Sequence, residues 1–247
     1  MTPDQHVLKI DTPAPEPERG IFETLLVISG RPVELDLHLA RLAQSLEDLY
    51  GQEPPPDARD LVSTAAAGTE LGRLRLDVSP RDGNGVRVAD VDPALVFPGF
   101  GEAPDLQPVE VPGWRGAHKW ADRRLLERAE AESGDGVPLL LDGGLVLETS
   151  RGNLFAAVGG ALVTPPADGR ILPGVTRALA IETARAAGIE VREEELSLDR
   201  LREADEVFTT GAVRGIEPVR AVRGVRDWHE GAITPRVASG LRARWFG

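Results

Sequence analysis

Three observations predict an α/β (α+β) chain in two parts, a smaller N-terminal one and a larger C-terminal one. Between Gly72 and Ser79 the residues alternate, with Leu74, Leu76 and Val78 pointing one way and Arg73, Arg75 and Asp77 the other, which is the period of a half-buried strand. From Asp36 to Tyr50, Leu39, Leu42, Leu46 and Leu49 recur at the three-and-four spacing of an amphipathic helix. Over residues 98–107 the composition turns to proline, glycine and polar side chains, as in a linker. These observations predict a small α/β domain over residues 1–100, a linker over 101–107 and a large domain over 108–247, and a chain of 247 residues is long enough for both.

In order along the chain, residues 11–19 are proline-rich and charged and read as an irregular lead-in. Ile21 to Ser29 is rich in strand formers and stops at Ser29-Gly30-Arg31-Pro32, with a short return strand expected at Val33-Glu34-Leu35. Asp36 is a plausible cap for the leucine-striped helix, Gly51 suits its end, and Arg41 and Ser45 lie off the stripe. A short helix follows Pro56-Asp57, and Asp82-Gly83-Asn84-Gly85 turns the alternating strand back through Val86-Arg87-Val88. The second half opens with a strand at Val109–Val111 and a helix from Asp122 to Ala131. Hairpins follow over Asp142-Gly143-Gly144 and Gly159-Gly160. A helix with Pro173 near its start runs to Ala187, then a strand over Ile189–Leu196, a capped helix from Ser197, a strand over Asp205–Thr210, a glycine-flanked loop to Gly215, and a closing helix over Ile233–Trp245.

Composition removes several classes of function. The formal net charge of -12 opposes non-specific binding to nucleic acid or anionic membrane, while leaving room for a local pocket of arginines. The absence of cysteine excludes disulfides, thiolate metal sites and a thiol nucleophile. His6, His38, His118 and His229 are scattered without ligand spacing, so no metal site is expected. The N-terminus lacks the basic start and apolar run of a signal peptide, and no run reaches membrane-spanning length, so the chain reads as cytoplasmic.

The segment Gly116-Ala117-His118-Lys119-Trp120-Ala121-Asp122-Arg123-Arg124 carries the chemical signal. Lys119 and Lys9 are the only lysines in a chain that otherwise uses arginine. Arginine forks onto carboxylates and phosphates better, but it cannot lose its proton to become a nucleophile. A lysine kept among arginines therefore hints at a primary amine that must react, for example with a carbonyl, although a plain surface lysine is the simpler account of Lys119 taken alone.

What decides between them is the order of motifs. Gly20-Ile21-Phe22-Glu23-Thr24, His38-Leu39-Ala40-Arg41-Leu42, Lys119, Glu148 ahead of Asn153-Leu154-Phe155, Leu172-Pro173-Gly174-Val175-Thr176-Arg177 and Thr210–Val219 together resemble the class IV (fold type IV) pyridoxal-phosphate enzymes. That family includes branched-chain and D-amino-acid aminotransferases and 4-amino-4-deoxychorismate lyase. The resemblance implies a small N-terminal α/β domain and a larger barrel-like C-terminal one, with pyridoxal 5'-phosphate between them in a homodimer. It implies that Lys119 holds the cofactor as a Schiff base and moves the substrate's proton, and that Glu148, followed by Asn153, faces the pyridine nitrogen. It further implies that Arg41, the helix start at Val175 and Thr176, and the backbone of Gly211 and Ala212 hold the phosphate.

Within the family, branched-chain aminotransferases place a tyrosine five residues after the lysine, where this chain has Arg124, and its only tyrosine is Tyr50. The Lys-Trp-Ala-Asp-Arg run and the loop from Val213 to Val219 look more like aminodeoxychorismate lyases, whose substrate carries two carboxylates. Arg75 and Arg214 are the candidates to bind them, and Thr24 to donate to the leaving enolpyruvyl oxygen. The resemblance thus implies a lyase that releases pyruvate and forms p-aminobenzoate for folate. The alternatives are a transaminase of a D-amino acid or a small or branched-chain L-amino acid, and an idle paralogue that binds a ligand. The family's usual Tyr-Gly-Asp-Gly-like stretch is replaced by Pro15-Glu16-Pro17-Glu18-Arg19-Gly20, which bears on substrate choice more than on cofactor binding.

Overall fold

The computed structural model describes residues 6–247, and Met1 to Gln5, on which the reading of the N-terminus partly rests, lie outside the described residues. In chain order the first elements are β1 (Leu8–Lys9), β2 (Ile21–Ile28), β3 (Arg31–Pro32), α1 (Leu35–Tyr50), α2 (Ala58–Ala66), β4 (Leu71–Ser79) and β5 (Gly83–Asp90). β6 (Asp105–Glu110), α3 (Arg124–Ser133), β7 (Val137–Asp142), β8 (Leu145–Thr149), β9 (Asn153–Val158), β10 (Ala161–Thr164) and α4 (Val175–Ala186) follow. The chain closes with β11 (Val191–Glu193), β12 (Leu196–Ser197), α5 (Leu198–Arg202), β13 (Glu206–Gly211), β14 (Gly215–Pro218), β15 (Ala221–Val222), β16 (Arg226–Asp227) and α6 (Ile233–Phe246).

A four-stranded antiparallel sheet in the order β3-β2-β4-β5 forms the smaller layer. Its alternation has a clear physical outcome. Leu74, Leu76 and Val78 on β4, with Ile21, Leu25 and Val27 on β2, pack under Leu42 and Leu46 of α1 and Val62 of α2. The other face of β2 is buried as well, because Leu26 and Ile28 join a second core with Leu179 of α4 and Phe208 of β13. Both faces of β2 are therefore covered, which explains why Leu25 to Ile28 are apolar without alternation. Phe22 and Thr24 share that second face, paired with Asp77 and Arg75 of β4.

The other strands join a twelve-stranded sheet along the path β11-β10-β9-β8-β7-β6-β15-β16, which branches where β9 also pairs with β13. β8 and β9 meet at one pair, Glu148 opposite Asn153. The small sheet is stitched to the lysine segment, which lies between β6 and α3. Phe22 N–H donates to Lys119 O at 2.9 Å, Ala121 N–H donates to Gly20 O at 3.0 Å, and Ile21 bridges Trp120.

Several expectations shift. Residues 105–107, expected in the linker, begin β6, where Leu106 is fully buried and Gln107 Nε2 donates to His6 O at 2.6 Å. Their polar composition hid a strand that lies between partners on both edges. β1, which was not expected, pairs in parallel with the far end of β6. The return strand expected at Val33–Leu35 is instead β3 at Arg31–Pro32, because Glu34 adopts a left-handed conformation (φ 53°) and precedes α1. α3 starts at Arg124, later than expected, since Asp122 accepts from the Arg124 backbone and side chain. The strand expected over Ile189–Leu196 divides into β11 and β12, which pair with β10 and β8 respectively. Among the described residues no helix is long and apolar enough to cross a membrane.

Candidate active site

Around Lys119 the backbone runs against β2, so successive side chains point to opposite sides. Trp120 joins the core under α1, and His118 sits edge-on to it at 5.4 Å with Nδ1 3.1 Å from Ser45 Oγ of α1. Lys119 points the other way, into a cleft between the sheets, where its ammonium lies over the Phe22 ring at 4.9 Å. It enters no ion pair among the described residues. Burial lowers its pKa to about 8, with the Arg41 charge adding to the effect and Glu23 and Glu148 opposing it.

The cleft has a narrow inner end and a wide outer chamber that share Phe22, Lys119, Arg123, Ser150 and Arg151. The inner end, of about 60 Å³, includes Trp114, Glu148, Gly152 and Leu172. Glu148 is buried. Its carboxylate accepts from Trp114 Nε1 at 3.3 Å, Asn153 Nδ2 at 3.1 Å and Leu172 N–H at 3.2 Å. Burial outweighs these donors and pushes its pKa up to about 7. Asn153 also donates to Leu172 O at 2.9 Å, so one amide ties the carboxylate to the segment before α4. Gly174 makes that tie possible, because a Cβ there would stand 2.0 Å from Asn153 Oδ1.

The outer chamber, of about 650 Å³, is lined by Arg73, Arg75, Arg87, Arg123, Arg151 and Arg214 against two acids, Asp90 and Asp92, along with Thr24, Gly211 and Ala212. An arginine-rich cavity inside a chain of net charge -12 concentrates anions locally. Arg75 and Arg214 already have acidic partners. Arg75 donates to Asp77 at 2.7 Å and lies over the Phe22 ring at 3.5 Å, while Arg214 pairs with buried Glu217 at 2.7 Å. Two buried hydroxyls, Ser150 Oγ and Thr210 Oγ1, have no partner, and Ser150 lines both parts of the cleft.

Arg41 does not line the cleft. It lies on α1 with its fork on Glu23 at 2.9 and 2.6 Å and its third nitrogen 3.3 Å from Pro173 O. His38 Nδ1, one helical turn earlier, meets the same carboxylate at 2.8 Å. Burial alone would raise the pKa of Glu23, but the charge of Arg41 and the hydrogen bonds from His38 and Arg41 bring it down to about 2. Burial lowers the pKa of His38 against the opposing pull of Glu23. Contact with Pro173 sets Arg41 beside the start of α4, where Val175 and Thr176 sit in the first turn. The N–H groups of residues 175–177 have no partner among the described residues, and Ala178 N–H is the first to find one, Gly174 O at 3.0 Å.

Of the residues singled out from sequence, Lys119 and Glu148 therefore both line the inner end, and Thr24, Arg75, Gly211, Ala212 and Arg214 line the outer chamber. Asn153, Arg41, Val175 and Thr176 stand behind them. Sequence reasoning missed Trp114, Arg123, Ser150 and Arg151 as cleft residues. Ser150 and Arg151 adjoin the Glu148–Asn153 motif, and that adjacency was the available signal. Arg124, five residues after the lysine, is bound to Asp122 and Glu16 and faces away from the cleft.

This arrangement defines a class. The chain belongs to the aminotransferase class IV family, whose model matches residues 20–97 and 106–222. Among curated proteins it is similar to the branched-chain-amino-acid aminotransferase of Escherichia coli (strain K12), 43% identical over 96 residues, which is 38% of this chain and 31% of that protein. The chain thus spans about a third of the length of the curated relatives it matches. Among solved structures it is similar to 4-amino-4-deoxychorismate lyase from Pseudomonas aeruginosa, with a TM-score of 0.79 and 28% identity over 92% of this chain and 91% of that one. An aminotransferase from Brucella abortus bound to the cofactor PLP superposes with a TM-score of 0.74 and 25% identity, over 92% of this chain and 89% of that one.

Proposed function

We propose that the chain is a pyridoxal-phosphate enzyme reacting through Lys119, and that it acts as a 4-amino-4-deoxychorismate lyase. The observation that carries this reading is a desolvated, unpaired Lys119 amine and a buried Glu148 at the inner end of an arginine-lined cleft. The donors present suit the cofactor. An amine can take its aldehyde, a carboxylate can face its ring nitrogen, and the free N–H groups at the start of α4 and the Gly211–Ala212 backbone can receive its phosphate. Ser150 and Thr210 supply hydroxyls that are otherwise unsatisfied. Arg41, held by Glu23 beside Pro173, adds positive charge behind the helix start. When bound, pyridoxal phosphate supplies an electron-withdrawing ring that accepts the electron pair left as a proton departs from the amine-bearing carbon.

The chain's own residues do the remainder. With a pKa near 8, Lys119 is neutral in a sizeable fraction at physiological pH and can take that proton. Glu148, oriented by Asn153, Trp114 and Leu172, holds a negative charge or a shared proton at the inner end. In this reading arginines of the chamber orient carboxylates, and Thr24, which lines the chamber from β2, donates to the departing enolpyruvyl oxygen. Pyruvate leaves and the ring becomes aromatic, giving p-aminobenzoate. A cytoplasmic homodimer belongs to this reading on family likeness.

A transaminase is the second reading, supported by the 43% identity to a branched-chain enzyme over 96 residues. The absence of a phenol from the cleft lining and the turning away of Arg124 weigh against a branched-chain pocket built in the same way. Incubating the loaded protein with aminodeoxychorismate and no keto acid tests the choice. p-Aminobenzoate formation supports the lyase; conversion to the pyridoxamine form by amino-acid donors, without p-aminobenzoate, refutes it. Borohydride reduction should fix the cofactor on the Lys119 peptide.

A further inference from the structure

The arginines of the outer chamber are not equivalent, and their partners sort them. Arg75 is bonded to Asp77 and packed on Phe22, and Arg214 is bonded to Glu217. Each is already committed to an acid, so drawing it onto a substrate would weaken an existing pair, although Asp77 would keep Arg87 at 3.4 Å. Arg123 is half-buried, with Glu130 at 3.6 Å and Ser150 O at 3.5 Å. Arg73 and Arg151 enter no ion pair among the described residues, and both line the chamber.

Arg151 has the more telling position. It lies in the turn between β8 and β9, just after Glu148, and lines the inner end as well as the chamber. Thr149 fixes that turn: its Oγ1 donates to Gly152 O at 2.8 Å and accepts from the N–H groups of Arg151 at 3.3 Å and Gly152 at 3.0 Å. The acid that feels the charge of Arg151 is Glu217, already bonded to Arg214 at 2.7 Å. Arg151 is thus a free fork on a rigid turn beside the reacting amine. Arg73 is a second free fork, on β4 of the facing sheet.

We infer that Arg151 and Arg73 determine substrate specificity, Arg151 reading the anionic group nearer the reacting carbon and Arg73 a second one across the chamber, so that the cleft selects dianionic amines. This rests on Lys119 being the reacting amine. Arg75 and Arg214, the pair expected from sequence, hold the walls.

The test has a binding arm that needs no cofactor. Calorimetric titration of the full chain with isophthalate, a rigid dicarboxylate, and with benzoate is expected to give at least tenfold tighter binding of isophthalate, since each charge-assisted hydrogen bond contributes about that factor. Arg151→Ala and Arg73→Ala should each weaken isophthalate about tenfold or more and leave benzoate changed by less. Arg151→Lys should recover part of the loss, and Arg81→Ala, on an exposed turn, should leave the binding of both acids unchanged. In the loaded enzyme, Arg151→Ala should raise KM for a dicarboxylate amine more than it lowers kcat. Equal binding of the two acids, or loss of isophthalate with Arg75→Ala and Arg214→Ala but not with Arg151→Ala and Arg73→Ala, overturns the inference. Failure of the wild-type chain to take up pyridoxal phosphate at Lys119 would instead overturn the cofactor reading, and it is read separately by absorbance.

Discussion

Replacing Glu23 by glutamine isolates the charge at the centre of the Glu23–Arg41–His38 cluster while keeping its shape. The wild-type carboxyl is held at about 2 against an ordinary 4.5, and a difference of about 2.5 corresponds to about 3 kcal/mol of stability at neutral pH. The general cost of removing one partner from a buried ion pair, about 3–5 kcal/mol, agrees. Both follow from one fact: without the carboxylate, the Arg41 guanidinium remains buried with no counter-charge. For a chain of this size about 1 kcal/mol moves Tm by roughly 2–4 °C, so Glu23→Gln should lower Tm by about 6–12 °C at pH 7. The pH dependence carries the sign. A carboxyl whose folded pKa lies below its unfolded value stabilises fully above about 4.5 and loses that contribution as pH falls toward 2. The gap between wild type and variant should accordingly narrow by about 1 kcal/mol between pH 7 and pH 4. Thermal unfolding followed by circular dichroism across that range is the assay. A variant within 1 °C of wild type at about pH 7, or a gap that does not change with pH, would refute the reasoning.

Other perturbations address the cleft directly. Lys119→Arg keeps a cation over Phe22 but removes the ability to deprotonate, so borohydride should trap no cofactor on the chain. In the wild type, the rate of cofactor attachment should rise with pH through about 8, because only the neutral amine attacks, and a rate flat from pH 7 to 9 would contradict this. Glu148→Gln preserves the volume at the inner end while removing the charge, and should lower kcat by about 10²-fold or more with the cofactor still attached, as separate absorbance and turnover measurements would show. Gly174→Ala sets a methyl 2.0 Å from Asn153 Oδ1 and should destabilise the chain by about 2 kcal/mol while weakening cofactor retention on dialysis.

Much of this architecture could be read from residue pattern, and the exceptions have physical causes. The leucine stripe of α1 and the alternation of β4 were legible because one face of each packs against a core and the other does not. β6 was not, because Gln107 turns its polar group to a backbone carbonyl and Pro108 reads as a breaker, while strands on both edges make it part of the sheet. At the site, Lys119 and Glu148 were legible as motif members. The commitment of Arg41 to Glu23 was not, since it joins β2 to α1 across the small layer, and sequence spacing says nothing of which acid an arginine meets. The division of the chamber's arginines into bound and free depends in the same way on Asp77 and Glu217, neither of which looks unusual in sequence.

The backbone bonds joining Phe22 to Lys119 and Ala121 to Gly20 have a mechanical consequence. They moor the lysine segment to β2 of the small sheet, directly behind the amine. Because each bond runs between backbone atoms, side-chain substitutions in the cleft should leave the mooring of the amine to β2 intact.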